Sequence, residues 1–395
     1  MNQSRIQGRI QSRTVSRVSV NGTVDAFIKE NPTLFKLKRH DKPEYRIDLA
    51  NITKLIKQHP DSPFFKFLKL AAENATYIDY DKFNHIYNKN ADEIQALVDL
   101  RHYTHIILIL DVDDYVINKS NYMLTLYFYK LLKARNLNIL IVPTQRGVIT
   151  RPIIPANQRS KPLYVLCDDI VYSGNQLSDS LYSIINRNKL HIDSHFYLGL
   201  IGYTPAAKLR INEVVCKTFN KLNGTRICNA TNIIYGRSSL EISNNVESLL
   251  EKHPEYKHPI QTMLNDEFKL YVKNNCAAID GDFRNIIFNS PKLTLSYVFF
   301  KYPDEVSTLP YLCGFNNGAG EELHTYGEIQ SNPACSNKYD VDKYNVNIIP
   351  SCKEPSKGIT SVDYCNQMCI TPFYKTQEYL GPITKLNNQI VNIIT

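Results

Sequence analysis

Two adjacent carboxylates, followed four residues later by a hydroxyl, a glycine and two amides, are the side chains of this sequence best suited to chemistry. They stand in the segment Leu163 to Leu177, LYVLCDDIVYSGNQL. Leu163 to Cys167 reads as a buried strand. Successive side chains of a strand point to opposite sides, so Asp168 and Asp169 at its end can diverge, one toward a ligand and one toward a supporting shell. Ser173, Gly174, Asn175 and Gln176 read as a turn opening a helix, and the free amides of a helix N-terminus attract anions. Gly174 would let the backbone approach a phosphate closely. Carboxylates that accept from a diol, beside amides that take a phosphate, describe a site for a sugar phosphate.

Elements that could hold such a site surround it. Ile106 to Leu110 reads as a buried strand, Asn121 to Arg135 as a helix and Leu137 to Val142 as a second strand, which spells a β-α-β unit and a parallel sheet. Pro143 to Pro162 lacks an apolar period and carries Arg146, Arg151, Arg159 and Lys161, as a binding loop or lid would. A helix from Leu177 to Asn186 and a strand from Phe196 to Gly202 follow. This alternation predicts an open α/β fold with ligands beyond the C-terminal ends of the strands. Before it, Val24 to Glu30, Leu49 to Lys57, Phe64 to Asn74 and Ala91 to His102 have helical periodicity. After about Glu241 the pattern is irregular, with a helix near Ile260 to Lys273, strand-like Leu293 to Phe300, and a tail rich in Gly, Asn and Pro.

The order of strand, Asp-Asp, three residues, Ser-Gly and helix resembles the 5-phosphoribosyl-1-pyrophosphate (PRPP) motif of the type I phosphoribosyltransferases. The resemblance spans Thr104 to Tyr203 and is sharp only around the acid pair. It implies a Rossmann-like phosphoribosyltransferase core with a parallel sheet at residues 101–240. A helical N-terminal extension over 21–100 and an irregular α+β C-terminal region over 241–395, a hood on the base or an accessory region, would flank it. By resemblance Asp168 and Asp169 hold the ribose hydroxyls as the catalytic acids, and Tyr172, Ser173, Gly174, Asn175 and Gln176 belong to the loop that wraps the 5-phosphate. Arg146 falls in the family's mobile loop, and Lys119 and Ser120 fall where a short loop binds pyrophosphate. The implied reaction is transfer of phosphoribose from PRPP to a nitrogenous base with release of pyrophosphate. Developing oxocarbenium charge would be stabilised in the site, and Mg²⁺ bound through PRPP would neutralise the pyrophosphate. The match also departs from the family. Gln176 replaces the usual Thr or Ser, the glycines expected near Lys119 are missing, and Tyr172 stands where purine-salvage members carry an acid. Tyr172 points away from an enzyme of the standard purine-salvage type, and the other two departures support a second expectation, a non-catalytic PRPP- or nucleotide-binding regulatory or interaction protein with the same fold.

Other features carry less chemistry. Asp111-Val-Asp113-Asp114 looks like the Asp-x-Asp of haloacid-dehalogenase phosphatases, although Tyr115 stands where that family wants Thr or Val. His253 and His258 are spaced as surface residues rather than as a helical metal pair. Nine cysteines with no secretory signal read as reduced thiols of a cytoplasmic protein. Cys313, Cys335, Cys352, Cys365 and Cys369 lack the Cys-x-x-Cys spacing of a structural zinc site. Phe299, Phe300 and Tyr302 could stack on a base, with core packing as the plainer reading. Arg5, Arg9, Arg13 and Arg17 recur every four residues in an acid-free arm over 1–20, which could touch RNA, act as a transit peptide, or be a disordered tail. With 43% apolar and 21% charged residues the chain has a globular composition, which excludes wholesale disorder. Its apolar runs are too short for a membrane span. A net charge of +8 permits anionic ligands without demanding nucleic acid. Abundant Asn, Ile, Lys and Tyr reflect A- and T-rich codons, as in protist and large-virus genomes. The expected partners are PRPP and an unidentified base, with a homodimer allowed.

Overall fold

The computed structural model describes residues 19–41, 63–113, 119–149, 162–224, 232–243, 246–258, 296–300 and 373–394, with isolated positions between them. Helix α1 (Val20–Glu30), two 3-10 turns, helix α2 (Pro63–Glu73), strand β1 (Thr76–Ile78) and helix α3 (Tyr80–Arg101) come first. The central part runs β2 (His105–Asp111), α4 (Ser120–Lys133), β3 (Ile139–Gln145), β4 (Val148–Ile149), β5 (Pro162–Val171), α5 (Asn175–Arg187), β6 (His195–Tyr203), α6 (Pro205–Asn223), β7 (Ile233–Tyr235) and β8 (Leu240–Glu241). Helix α7 (Val246–Lys252), strand β9 (Ser296–Val298) and helix α8 (Gln377–Ile394) complete the described elements.

Strands β2, β5 and β6 are near-continuous apolar runs, the pattern of strands covered on both faces. They build a seven-stranded sheet in the order β4-β3-β2-β5-β6-β7, with β8 beside the end of β6. Every pairing is parallel except the β3–β4 hairpin. The chain is thus an α/β protein with a mixed, mostly parallel sheet, compatible with the Rossmann-like expectation. One face carries α5 and α6, packed on Ile107, Ile109, Tyr164, Leu166 and Phe196. The other carries α3 and α4, joined in one core by α1, β9, Phe299, Phe300 and α8.

Buried polar groups tie the second layer to the sheet. Tyr87 on α3 donates from its hydroxyl to the carbonyls of Asp168 at 3.0 Å and Gly199 at 3.2 Å. Asn90, one turn further on, donates to Leu200 O at 3.1 Å. On α8 the apolar stripe Tyr379, Ile383, Leu386 and Ile390 is buried, and Asn387 donates to Val112 O at 3.1 Å.

Several boundaries differ from expectation. Within residues 21–100, α3 covers one face of the sheet and α1 shares its core. In the described part of 241–395, β9 pairs in parallel with β1, and α8 fills the α1 side of the core. Phe299 and Phe300 pack edge-on against Phe83 and are buried, so they belong to the core rather than to a base platform. Pro143 lies within β3 rather than in a loop. There β3 is flanked by β2 on one side only, since β4 reaches just Thr144 and Gln145, and a missing N–H is tolerated on an open edge. The arginine arm, the helix expected at Ile260 to Lys273 and the five C-terminal cysteines lie outside the described residues. Among the described residues no helix is long and apolar enough to cross a membrane.

Because α8 is part of the core, Leu386→Ala should lower the unfolding free energy by about 2–5 kcal/mol, the cost of emptying a buried leucine site. Urea denaturation followed by circular dichroism checks this; a change under about 0.5 kcal/mol would mean a peripheral helix.

Candidate functional site

From β2 the chain moves outward to β3, and from β5 it moves the opposite way to β6, so β2 and β5 are the strands at which the winding reverses. Ligands of open α/β sheets bind beyond the strand ends at such a point. A cleft of about 640 Å³ lies there, walled by the ends of β2 and β5, the first turns of α4, the β3–β4 hairpin and one face of α5.

The acid pair is split by strand alternation. Leu163, Val165 and Cys167 pack on the α3–α4 side of the sheet and Tyr164 and Leu166 on the α5–α6 side. Continuing the period, Asp168 is half-buried and lines the cleft, whereas Asp169 is buried and turns toward α4. There the Ser120 hydroxyl donates to Asp169 Oδ2 at 2.6 Å, and Asp169 Oδ1 accepts the Ile170 amide at 2.7 Å. Asp168 Oδ1 accepts the Asp169 amide at 2.9 Å. The two carboxylates therefore do not face one ligand: Asp169 and Ser120, both expected to touch PRPP, form a supporting contact beneath the site. The strand also runs past the acids to Val171 instead of ending at Cys167.

The turn after β5 is built differently from its expected use. Gly174 adopts φ +75°, and a Cβ there would stand 2.9 Å from Ala207 O, so this glycine is required by close packing on α6. Ser173 and Asn175 do not line the cleft; the Ser173 hydroxyl accepts the Asn175 amide at 3.4 Å. Gln176, at the start of α5, does line it. Tyr172 points elsewhere, donating to Ser296 O at 2.6 Å and so tethering β9.

On the opposite wall the cleft gains a carboxylate and two cations. Asp111, at the end of β2, lines it, and Asp111 Oδ1 accepts the Asp113 amide at 3.2 Å. Burial pushes the Asp111 carboxyl up to about 6; the Asp113 amide opposes this, the Asp113 charge adds to it, and Lys119 opposes it. Lys119 lines the cleft just before α4, and Arg146 lines it from the hairpin. Arg146 and Gly147 have φ +50° and +75°, the two left-handed residues of a tight hairpin turn. Asp113 is buried beneath that turn and accepts the Arg146 amide at 2.8 Å. It does not line the cleft, so the two acids of the phosphatase-like motif are not brought together on a ligand. The floor includes Cys167, whose thiol is driven far up by burial and by the Asp168 charge and is no nucleophile.

Of the expected site residues, the structure thus gathers Asp168, Gln176, Lys119 and Arg146 on one cleft and leaves Asp169, Ser120, Tyr172, Ser173, Gly174 and Asn175 off it. Sequence reasoning missed Thr144, Ser183 and Arg187 on the walls. Gln176, Ser180, Ser183 and Arg187 recur at helical spacing, which was the available signal. His253 Nδ1 lies 3.4 Å from Glu255 Oε1. Among the described residues no cluster of three or more His, Cys, Asp or Glu could hold a metal. The fold and cleft define an α/β protein with a mixed-charge site at the sheet's winding reversal. No protein-family model, curated protein or solved structure matches the chain.

The raised Asp111 pKa has a stability consequence. A carboxyl that binds its proton more tightly folded than unfolded favours folding most below the ordinary Asp value of 3.8, and that contribution is lost as pH rises through about 6. Asp111→Asn should therefore gain on wild type by on the order of 1 kcal/mol between pH 4 and pH 7.5, after discounting for solvent screening of a partly exposed group. Thermal melts of both proteins across that range check it; a difference independent of pH would contradict it.

Proposed function

We propose that the cleft binds the phosphoribosyl group of PRPP and that the protein is phosphoribosyltransferase-like, transferring phosphoribose to a nitrogenous base with release of pyrophosphate. One observation carries this reading. Asp168, from the motif that resembles the PRPP-binding segment, faces a cleft at the winding reversal that is rimmed by Lys119, Arg146 and Arg187. A half-buried carboxylate suits a sugar diol as an acceptor, and the cations suit the phosphates around it.

In this reading Asp168 accepts from the ribose hydroxyls, and Asp169, held by Ser120, fixes the strand that presents it. Gln176 offers its amide group to the 5-phosphate from the start of α5, where the helix dipole favours negative charge. The carboxylates of Asp111 and Asp168 are hard oxygen donors on neighbouring strands and suit Mg²⁺, with phosphate oxygens and waters completing its shell. When bound, Mg²⁺ would neutralise the departing pyrophosphate.

A second reading, a binding protein without turnover, is favoured by a specific observation: Asp169 is turned from the cleft, and Ser173 and Asn175 do not line it. Calorimetric titration of PRPP with Mg²⁺ tests the site. Wild type is expected to bind and Asp168→Asn to lose at least tenfold in affinity; absence of binding by folded wild type would overturn the proposal. Pyrophosphate release across a panel of bases then separates the enzyme from the binding protein.

A further inference from the structure

Helix α8 reaches the cleft walls through Asn387. This residue is buried, its side-chain amide donates to Val112 O at 3.1 Å, and its Oδ1 receives the Tyr122 hydroxyl at 3.5 Å. Val112 directly follows Asp111 at the end of β2, and Tyr122 stands in the first turn of α4. Both Asp111 and Tyr122 line the cleft. A buried amide needs partners, so burial explains why these bonds form. Their direction does something more.

The carbonyl of Val112 and the amide of Asp113 belong to one peptide group. That group is planar and trans, so its C=O and its N–H point in opposite directions. Asn387 draws the oxygen toward α8. The N–H is thereby aimed the other way, and it donates to Asp111 Oδ1 at 3.2 Å. An aspartate accepts from the amide two residues on only while that amide faces it. The flanking residues are held separately: the Val112 amide donates to Thr144 O at 2.9 Å, and the Asp113 carboxylate accepts the Arg146 amide at 2.8 Å. Those bonds fix each side of the peptide, while its plane can still turn through ψ of Val112 and φ of Asp113. Turning it would break the bond to Asn387 and the bond to Asp111 together.

We infer that Asn387 is a positioning residue for the cleft: through the Val112–Asp113 peptide it holds the Asp111 carboxylate in the orientation that a ligand meets. It touches no ligand itself. A side chain 275 residues further along the chain thus sets the geometry of a cleft wall. The inference rests on the phosphoribosyl reading for what the carboxylate serves, Mg²⁺ beside PRPP, whereas the aim of the peptide is independent of that reading.

Two measurements on the full chain test it. Asn387→Leu keeps the side-chain size and removes both bonds, and Asn387→Asp keeps an acceptor for Tyr122 but loses the donor. Leu386→Ala weakens the same helix without deleting either bond and serves as the control. Amide hydrogen exchange by NMR, without ligand, compares Asp113 with Val112, whose own bond to Thr144 is kept in all three variants. Both Asn387 variants are expected to speed Asp113 relative to Val112 by on the order of tenfold, the worth of one hydrogen bond, while in Leu386→Ala the two amides change together. Both Asn387 variants should also need at least fivefold more Mg²⁺ for half-maximal PRPP binding, with Leu386→Ala within about twofold of wild type. The inference is overturned if Asp113 keeps pace with Val112 in the Asn387 variants, if their Mg²⁺ requirement is unchanged, or if Leu386→Ala raises it equally. Selective loosening of Asp113 in a protein whose wild type binds no PRPP would uphold the positioning and overturn the phosphoribosyl reading instead.

Discussion

The site depends on the hydrogen bond between the Ser120 hydroxyl and the buried Asp169 carboxylate. Strand alternation forces one of two adjacent acids toward α4, and a polar group buried in that position needs hydrogen-bond partners. Ser120 at the start of α4 and the Ile170 amide supply them. With Asp169 satisfied, Asp168 is committed to the other face and into the cleft. One contact thereby sets the register between the end of β5 and the start of α4, the two elements that frame the site.

Around this contact the protein fixes backbone positions rather than side chains. Tyr87 reaches from α3 to hold the carbonyl of Asp168 itself, so the layer behind the sheet positions the acid. Asn387 on α8 holds the carbonyl of Val112, immediately after Asp111. Asn188 and the close approach of Gly147 to Ser183 hold the hairpin. The cleft is thus braced from three directions by the Tyr87 hydroxyl and the Asn387 and Asn188 amides, and its charged side chains are presented from these held elements. Rigid presentation favours recognition of a ligand of fixed shape, because little order remains to be imposed on binding.

Much of the sheet could be read from the sequence because β2, β5 and β6 are near-continuous apolar runs, the pattern of doubly covered strands. The divergence of Asp168 and Asp169 was readable for the same reason. The turn after them has a second role that was not readable: Gly174 is needed for packing against Ala207, a contact with no trace in local sequence. Helix α8 lies in the tail read as rich in Gly, Asn and Pro; it includes Gly381 and Pro382, yet Tyr379, Ile383, Leu386 and Ile390 keep a helical period across them. Arg146 was expected in a mobile loop; the left-handed pair Arg146–Gly147 instead makes a tight hairpin whose anchor, Asn188, is distant in sequence. Long-range contacts of this kind decide which charges meet, and periodicity does not report them.

Urea unfolding of Asp168→Ala beside Asp169→Ala tests the central claim most directly. The two variants delete the same group from neighbouring positions, so only the surroundings differ. Asp169→Ala strands the Ser120 hydroxyl and the Ile170 amide and should cost about 2–3 kcal/mol, whereas Asp168→Ala should cost about 1 kcal/mol or less. Equal costs, or a larger cost at Asp168, would contradict the division of the pair into a supporting acid and a ligand-facing one.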